Sequence, residues 1–217
     1  AITSAGAILS YVKDTQFSDL PHLRPPSLLI KAKTMTLDAV TLRNLEIVKT
    51  VGDSSKDTLF ATLNRTSTAG GSRKLKDWLL RPLHDLDKLN QRHDAVQELF
   101  DNTLSRREIK DILKGFQDVE RLLSRLGHGS ISPRDLDSLR TSLNTLKDLK
   151  QFLSEEPLKS KLMKRLVKSI DVHKQVSEKL DEALVEEPPL VLRDGGIFRK
   201  GYSEELDDLR SRASSGR

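Results

Sequence analysis

The 217-residue sequence contains no cysteine, so disulfides and thiolate metal sites are excluded and a reducing compartment is expected. No apolar run approaches the roughly 18 residues that a membrane span requires, and we expect no membrane partner. Aromatic residues make up only 4% of the chain, whereas 32% of the residues are charged. With leucine dominating the apolar positions, this mixture is typical of amphipathic helices rather than of a β-sandwich. The sequence therefore indicates a mainly all-α protein.

Patterns that carry catalysis are also missing. The five histidines lie far apart, without the HxxxH or HExxH spacing of zinc sites. No serine lies in a Gly-x-Ser-x-Gly context. The glycine-rich stretch at residues 70–74 does not match the Gly-x-x-x-x-Gly-Lys-Ser/Thr pattern of a phosphate-binding loop. We predict no catalytic residue, no cofactor-binding residue and no metal ligand in this chain.

Residues 35–82, which we call the knot, hold the densest helix signals. Asp38 and Thr68 belong to the residue types that cap helices, and an apolar-periodic run follows each of them. A further helix start is predicted at Asp57. The last run ends before Pro82, because the residue preceding a proline is pushed out of the helical region. The pattern predicts several short helices packed together.

A leucine stripe begins further along the chain. Ser132 followed by Pro133 is a typical helix start, and leucines then recur at alternating three- and four-residue steps as far as Leu153. Such a stripe is typical of a long helix packed against helices of the same chain. The alternative is an autonomous interaction module in which two copies of the chain pair through the stripe. Two more helices are predicted over residues 158–170 and 172–184.

The two ends of the chain contain less regular segments. A helix over residues 1–16 is followed by a proline-rich connector and a short strand at residues 28–30. Residues 190–192 and 197–198 look like extended pieces around a glycine turn. A last helix starts at Ser203. We divide the chain into an N-terminal helix and connector (residues 1–27), a helical core (28–185), and an extended turn segment with the start of a helix (186–217).

Residues 36–46, TLDAVTLRNLE, resemble the core-domain signature of MutS-type mismatch-repair proteins. The likeness continues through residues 58–83 and returns at residues 118–126 and 193–207. It implies a multi-helix core, or lever, domain with long packed helices and a short extended β-like segment near residues 190–199. We expect the chain to be part of a longer protein and to lack the family's mismatch-reading, connector, clamp and ATPase domains.

The resemblance implies a mechanical role, in which the lever couples the ATPase domain to a clamp that closes around DNA. ATP and magnesium, mismatched double-stranded DNA, a second MutS-family subunit and a MutL-type partner are expected for the longer protein only. The implied location is intracellular. In a bacterium or archaeon it would be the cytoplasm or nucleoid, and in a eukaryote the nucleus or an organelle.

Candidate site residues come from the knot. Core and joint candidates, among which we expect Trp78 to be a buried aromatic, are Asp38, Leu42, Arg43, Leu45, Gly71, Arg73, Leu75, Trp78 and Pro82. A second set concentrates positive charge that could meet DNA phosphates: Arg65, Arg73, Lys74, Lys76 and Arg81. The net charge of +5 is compatible with such a partner. Asp77, Asp118 and Glu120 lie among these residues in the sequence and oppose this interpretation.

Overall fold

The structure is a computed structural model that describes residues 2–16 and 34–215. Within these ranges the chain forms eleven α-helices: α1 (Ile2–Gln16), α2 (Ala39–Asn44), α3 (Leu59–Leu63), α4 (Ala69–Leu80), α5 (Leu86–Asp101), α6 (Thr103–Leu113), α7 (Val119–Gly127), α8 (Pro133–Glu155), α9 (Lys161–Ser169), α10 (Lys174–Ala183) and α11 (Glu204–Ser215). The mainly all-α class is therefore confirmed. The predicted proline-rich connector and the strand at residues 28–30 lie outside the described residues.

Polar side chains that accept hydrogen bonds from first-turn N–H groups begin most of these helices. Thr68 and Ser132 begin α4 and α8 as predicted, and Ser132 forms a reciprocal capping box with Asp135. The helix start predicted at Asp57 lies one residue further on. There Thr58 caps α3, while Asp57 adopts a left-handed φ of 59°. At α3, α4 and α8 the predicted and observed helix starts therefore agree to within one residue.

Helix α8 is the axis of the core. Its 23 residues span roughly 34 Å at about 1.5 Å per residue. Helices α6, α7, α9 and α10 all pack against it. In its first half, Leu139 and Leu143 form a buried cluster with Leu122 of α7. In its second half, Leu153 forms another cluster with Met163 of α9. One rod therefore runs through both apolar clusters.

The leucine stripe faces these clusters. Leu139, Leu143 and Leu153 are buried, and Leu136 and Leu146 on the same helix are half-buried. Helices of the same chain cover the stripe, as expected for a packed long helix. The stripe therefore serves intramolecular packing in this structure.

The predicted extended segment near residues 190–199 is present only in part. Residues Leu192–Asp194 form a single 3₁₀ turn, and the two glycines that follow have left-handed φ values of 69° and 68°. Phe198 forms an isolated antiparallel bridge with Leu184, the residue after α10. The N–H of Arg199 donates to the carbonyl of Ala183 at 2.8 Å. We call residues 184–199 the exit segment; it folds back onto the end of α10.

Candidate functional site

Few residues of the knot are buried: Ile47 is 6% exposed and Thr58 is 1% exposed. Hydrogen bonds therefore contribute much of what holds the knot together. Asp38 Oδ1 accepts from the N–H of Thr41 at 2.7 Å, and this bond lowers the pKa of Asp38. The N–H of Phe60 donates to the carbonyl of Ile47 at 2.9 Å, which joins α3 to the loop that follows α2. The knot is therefore specified by directed polar contacts more than by apolar burial.

Gly71 lies at a close approach inside the knot. A Cβ atom at this position would lie 2.9 Å from Thr68 Oγ1 and 3.4 Å from Thr66 Cβ. The Gly71 N–H donates to Thr68 Oγ1 at 3.0 Å, so the cap of α4 occupies the space that a side chain would need. Nearby, Asn64 Nδ2 donates to Ser72 Oγ at 3.0 Å and ties the end of α3 to α4. Gly71 thus has a packing role.

Two joint candidates are more exposed than expected. Leu45 is 59% exposed and Trp78 is 37% exposed, so the prediction of a buried Trp78 is wrong for this chain. The Trp78 indole rests against α5 and lies outside both core clusters, which form around α8. The Arg92 guanidinium lies 3.7 Å from the ring centroid in a cation–π contact, and burial lowers the pKa of Arg92. Trp78 is therefore a half-covered contact between α4 and α5.

The remaining joint candidates lie at the edges of the knot. Leu42, Leu75 and Pro82 are half-buried, whereas Arg43 is exposed. The carbonyl of Pro82 accepts from the N–H of Met35 at 2.8 Å. The first and last residues of the knot therefore meet, and the knot closes on itself.

Arg73 is a candidate for both the joint and the phosphate contact. It donates to the two carboxylate oxygens of Asp118 at 2.9 and 2.8 Å, and it lies 2.5 Å from Glu120. Asp118 in turn caps α7. The hydrogen bond between them lowers the pKa of Asp118 and raises the pKa of Arg73. Arg73 therefore joins the knot to α7 and is already paired.

The other phosphate candidates are also partly balanced. Lys74 and Arg81 pair with Asp77, at 3.6 and 2.8 Å. Arg65 and Lys76 are exposed and have no carboxylate within 4.0 Å in the described part of the chain. Lys74 and Arg81 share the single carboxylate of Asp77, so the positive charge of the five candidates is neutralised only in part, which weakens this region as a surface for phosphates.

Arg140 joins α8 to the exit segment, and sequence reasoning did not single it out. It is 9% exposed and donates to the carbonyls of Leu184 at 3.3 Å and of Glu186 at 3.1 Å. Its Nη2 also lies 2.5 Å from Asp137 Oδ1. The sequence signal that could have revealed Arg140 is its place directly after Leu139 of the leucine stripe. An arginine is rarely buried without partners, so one at such a position is expected to have them.

Two further polar side chains bridge separate elements. Glu98 of α5 accepts hydrogen bonds from the N–H groups of Lys159 and Ser160, ahead of α9. Burial opposes ionisation of Glu98, but these hydrogen bonds outweigh it and hold the pKa of Glu98 below its ordinary value. Ser142 of α8, 0% exposed, accepts from the N–H of Gln117 at 3.0 Å. These partners are far apart in sequence, so no local signal predicts the contacts.

The contacts described above join separate helices. In residues 2–16 and 34–215 no three or more His, Cys, Asp or Glu side chains come together as a metal site. Helices long and apolar enough to cross a membrane are also missing from this described part. What the arrangement provides is a set of ion pairs and hydrogen bonds that hold helices at fixed positions.

The sequence matches the family model for MutS domain III over residues 40–215. The chain belongs to the MutS family. It is similar over its whole length to DNA mismatch repair protein MutS of Methanosarcina acetivorans, with 40% identity over 221 residues. Similar relatives of the same name occur in Halothermothrix orenii (38% over 218 residues) and Caldanaerobacter subterraneus (38% over 217 residues), each again covering 100% of this chain. The chain spans only 24% or 25% of the length of these relatives.

The domain III match includes the knot from α2 onwards, the α8 axis, the exit segment and α11. The resemblance drawn from the knot is therefore confirmed. The candidate joint residues and phosphate contacts remain predictions, because a family match does not assign roles to individual residues.

Proposed function

We propose that this chain is the core, or lever, region of a DNA mismatch-repair MutS protein, transmitting movement between an ATPase domain and a DNA clamp. The observation that carries the proposal is α8, a rod of roughly 34 Å against which four other helices pack. Closely packed helices move as rigid bodies, because interdigitated side chains resist gradual deformation. A displacement at one end of α8 would therefore reach the other end.

The joints support this proposal. Arg140 holds the exit segment against α8, and Arg73 holds the knot against the start of α7. Glu98 holds the start of α9 against α5. Each joint is a directed polar contact between separate elements, which suits a part that must keep its geometry under load.

The domain division made from the sequence is part of the proposal. Residues 28–185 would act as the lever, with a connector before them and residues 186–217 leading towards the clamp. The chain itself would catalyse nothing. ATP and magnesium, a second MutS-family subunit and a MutL-type partner would engage other parts of a longer protein, and the mismatch in the DNA would be recognised there as well. The dimerisation hypothesis has less support, because helices of the same chain cover the leucine stripe.

A chimera tests the proposal. In the Methanosarcina acetivorans relative, the 221 matched residues are exchanged for this chain. ATP hydrolysis, binding to a mismatched duplex and ATP-triggered release from that duplex are then measured. We expect the chimera to show all three activities. In the chimera that also carries Arg140→Met, we expect slower release from the duplex, with ATP hydrolysis and duplex binding retained. An unchanged release rate in the Arg140→Met chimera would contradict the lever role of this joint; Arg134→Met, an exposed position on the same helix, is the matched control.

A further inference from the structure

Helix α9 carries a face of positive charge. Its sequence, Lys161–Ser169, contains four basic residues and no acidic residue. Lys161, Lys164, Arg165 and Lys168 recur at three- and four-residue steps, so they lie along one side of the helix. All four residues are exposed. We call them the basic face of α9.

The basic residues of this face have no close carboxylate. Some exposed lysines elsewhere pair with a carboxylate three or four residues away, as in Lys74–Asp77, Lys114–Asp111 and Lys174–Glu178, whereas others do not. No carboxylate of the described residues lies within 4.0 Å of a basic-face nitrogen. The basic face is distinguished by its density: four exposed basic residues without such a partner lie on one helix that carries no acidic residue.

Acidic residues do lie near one end of the basic face. Lys161 shares a groove with four acidic residues of α5, Asp87, Asp94, Glu98 and Asp101. The positive charge of Lys164 helps to lower the pKa of Glu98, whose carboxylate accepts hydrogen bonds from backbone N–H groups ahead of α9. Lys164, Arg165 and Lys168 do not line that groove. The positive charge that lies outside this acidic groove is therefore carried by these three residues.

The opposite side of α9 restricts the class of partner. Met163 is buried there, and Leu162 and Val167 pack with it in the cluster that includes Leu153. A basic amphipathic helix that enters a lipid surface or a protein groove uses its apolar side. Here most of that side is packed in the core, and Leu166, 49% exposed, is the apolar residue of α9 left at the surface. A protein partner would also need an apolar centre to its interface, which a row of lysines and an arginine does not offer.

We propose that the basic face of α9 contacts the phosphate backbone of double-stranded DNA without reading its sequence. From Lys161 to Lys168 the helix rises about 10 Å, and the phosphates of one strand recur at about 3.4 Å along the duplex axis, so the face is long enough to meet about two or three phosphates. The net charge of +5 favours approach to a polyanion. The choice of DNA as that polyanion rests on the proposed function. Because phosphate contacts carry no sequence information, matched and mismatched duplexes bind equally.

The test titrates the 217-residue chain into a labelled duplex of about 30 base pairs and measures its fluorescence anisotropy. The titration is repeated at several salt concentrations between about 50 and 200 mM. The variant combines Lys164→Gln, Arg165→Gln and Lys168→Gln. A control with the same change in net charge combines Lys56→Gln, Arg134→Gln and Lys179→Gln, which are also exposed and lack a carboxylate partner among the described residues.

Each phosphate contact contributes about 0.9 to the slope of log K against log salt, so the α9 variant should lower that slope by about 2 to 3. Its affinity at the lowest salt should fall by about tenfold or more, while the control changes the slope by less than about one. Equal losses in both variants would overturn the proposal, since only net charge would then matter. So would a wild-type chain that fails to bind, or one that binds phosphatidylserine vesicles through α9 but not DNA.

A second measurement needs no substitution. Acetylation of lysines in the wild-type chain, read by mass spectrometry, should show Lys164 and Lys168 protected by the duplex, while Lys56 and Lys179 react as before. Unprotected Lys164 and Lys168 would overturn the proposal. This outcome is distinguishable from failure of the lever role, because the chimera measures coupling to ATP, whereas these assays measure DNA contact in its absence.

Discussion

Replacing Arg140 by methionine should weaken the attachment of the exit segment to α8. Methionine keeps most of the apolar stem and its packing, but it removes every hydrogen bond that the guanidinium donates. The bonds lost are those to the carbonyls of Leu184 and Glu186 and to the Asp137 carboxylate. Leu184 is the critical partner, because it is 1% exposed and water cannot replace a lost donor there.

The magnitude follows from how well each partner is compensated. Glu186 is exposed and Asp137 is 31% exposed, so water restores much of what these two groups lose. The carbonyl of Leu184 keeps a second hydrogen bond, from Arg199 Nε at 2.5 Å, which limits the loss at that site. A hydrogen bond from a charged donor to a buried group contributes about 1.5–3 kcal/mol. We therefore expect the free energy of unfolding to fall by about 2–3 kcal/mol. For a chain of this size the melting temperature should fall by roughly 4–12 °C.

Urea and thermal unfolding, followed by circular dichroism, measure this change. Arg134→Met on the same helix is the control and should stay within about 0.5 kcal/mol of the wild type, because Arg134 is exposed. Hydrogen exchange should also show faster exchange in residues 184–199 of Arg140→Met alone. Equal unfolding midpoints for the two variants, with unchanged exchange in the exit segment, would refute the reasoning.

Three other substitutions probe the remaining contacts. Glu98→Gln should cost about 1 kcal/mol at neutral pH, because the amide keeps one acceptor for two N–H groups. Since the folded pKa of Glu98 is lowered, its contribution is present above the unfolded pKa of about 4.3 and is lost as the pH falls through the folded pKa. The difference between the urea midpoints of variant and wild type should therefore shrink as the pH is lowered below the unfolded pKa. Ser142→Ala should lower the urea-derived stability by about 1–2 kcal/mol, because it leaves the N–H of Gln117 without an acceptor. Trp78→Ala should lower the stability by about 1–2 kcal/mol in the same assay, whereas truncating a buried aromatic costs about 3–5 kcal/mol. A loss above about 3 kcal/mol would show that the indole is more covered than its contact with Arg92 implies.

Helix starts and the long axis could be predicted from the sequence because their causes are local. Thr68 and Ser132 satisfy N–H groups within three residues of themselves, so the signal and its effect lie in one short window. The spacing of leucines up to Leu153 likewise reports which side of α8 is apolar. The same information identifies the stripe as a packed surface but does not say which helices cover it.

The joints could not be predicted, because each depends on residues brought together by the fold. Asp118 appears in the sequence as a charge that opposes DNA contact near the knot, whereas in the structure it pairs with Arg73 and caps α7. Trp78 has the spacing of a core residue, but α4 contributes to neither core cluster. The pairing of Phe198 with Leu184 requires the chain to fold back after α10, which the pattern around the glycine turn does not encode.

The distribution of burial separates a stiff part of the molecule from a looser one. The clusters along α8 bury leucines from several helices, whereas the knot leaves Val40 at 67%, Val51 at 59% and Leu63 at 48% exposure. Regions with few buried apolar contacts open at lower free energy than a packed core. The knot should therefore rearrange more readily than α8, while the ion pair between Arg73 and Asp118 keeps the two parts connected. In the proposed lever role, the stiff rod would preserve displacement over distance, and the softer knot would absorb a change in angle.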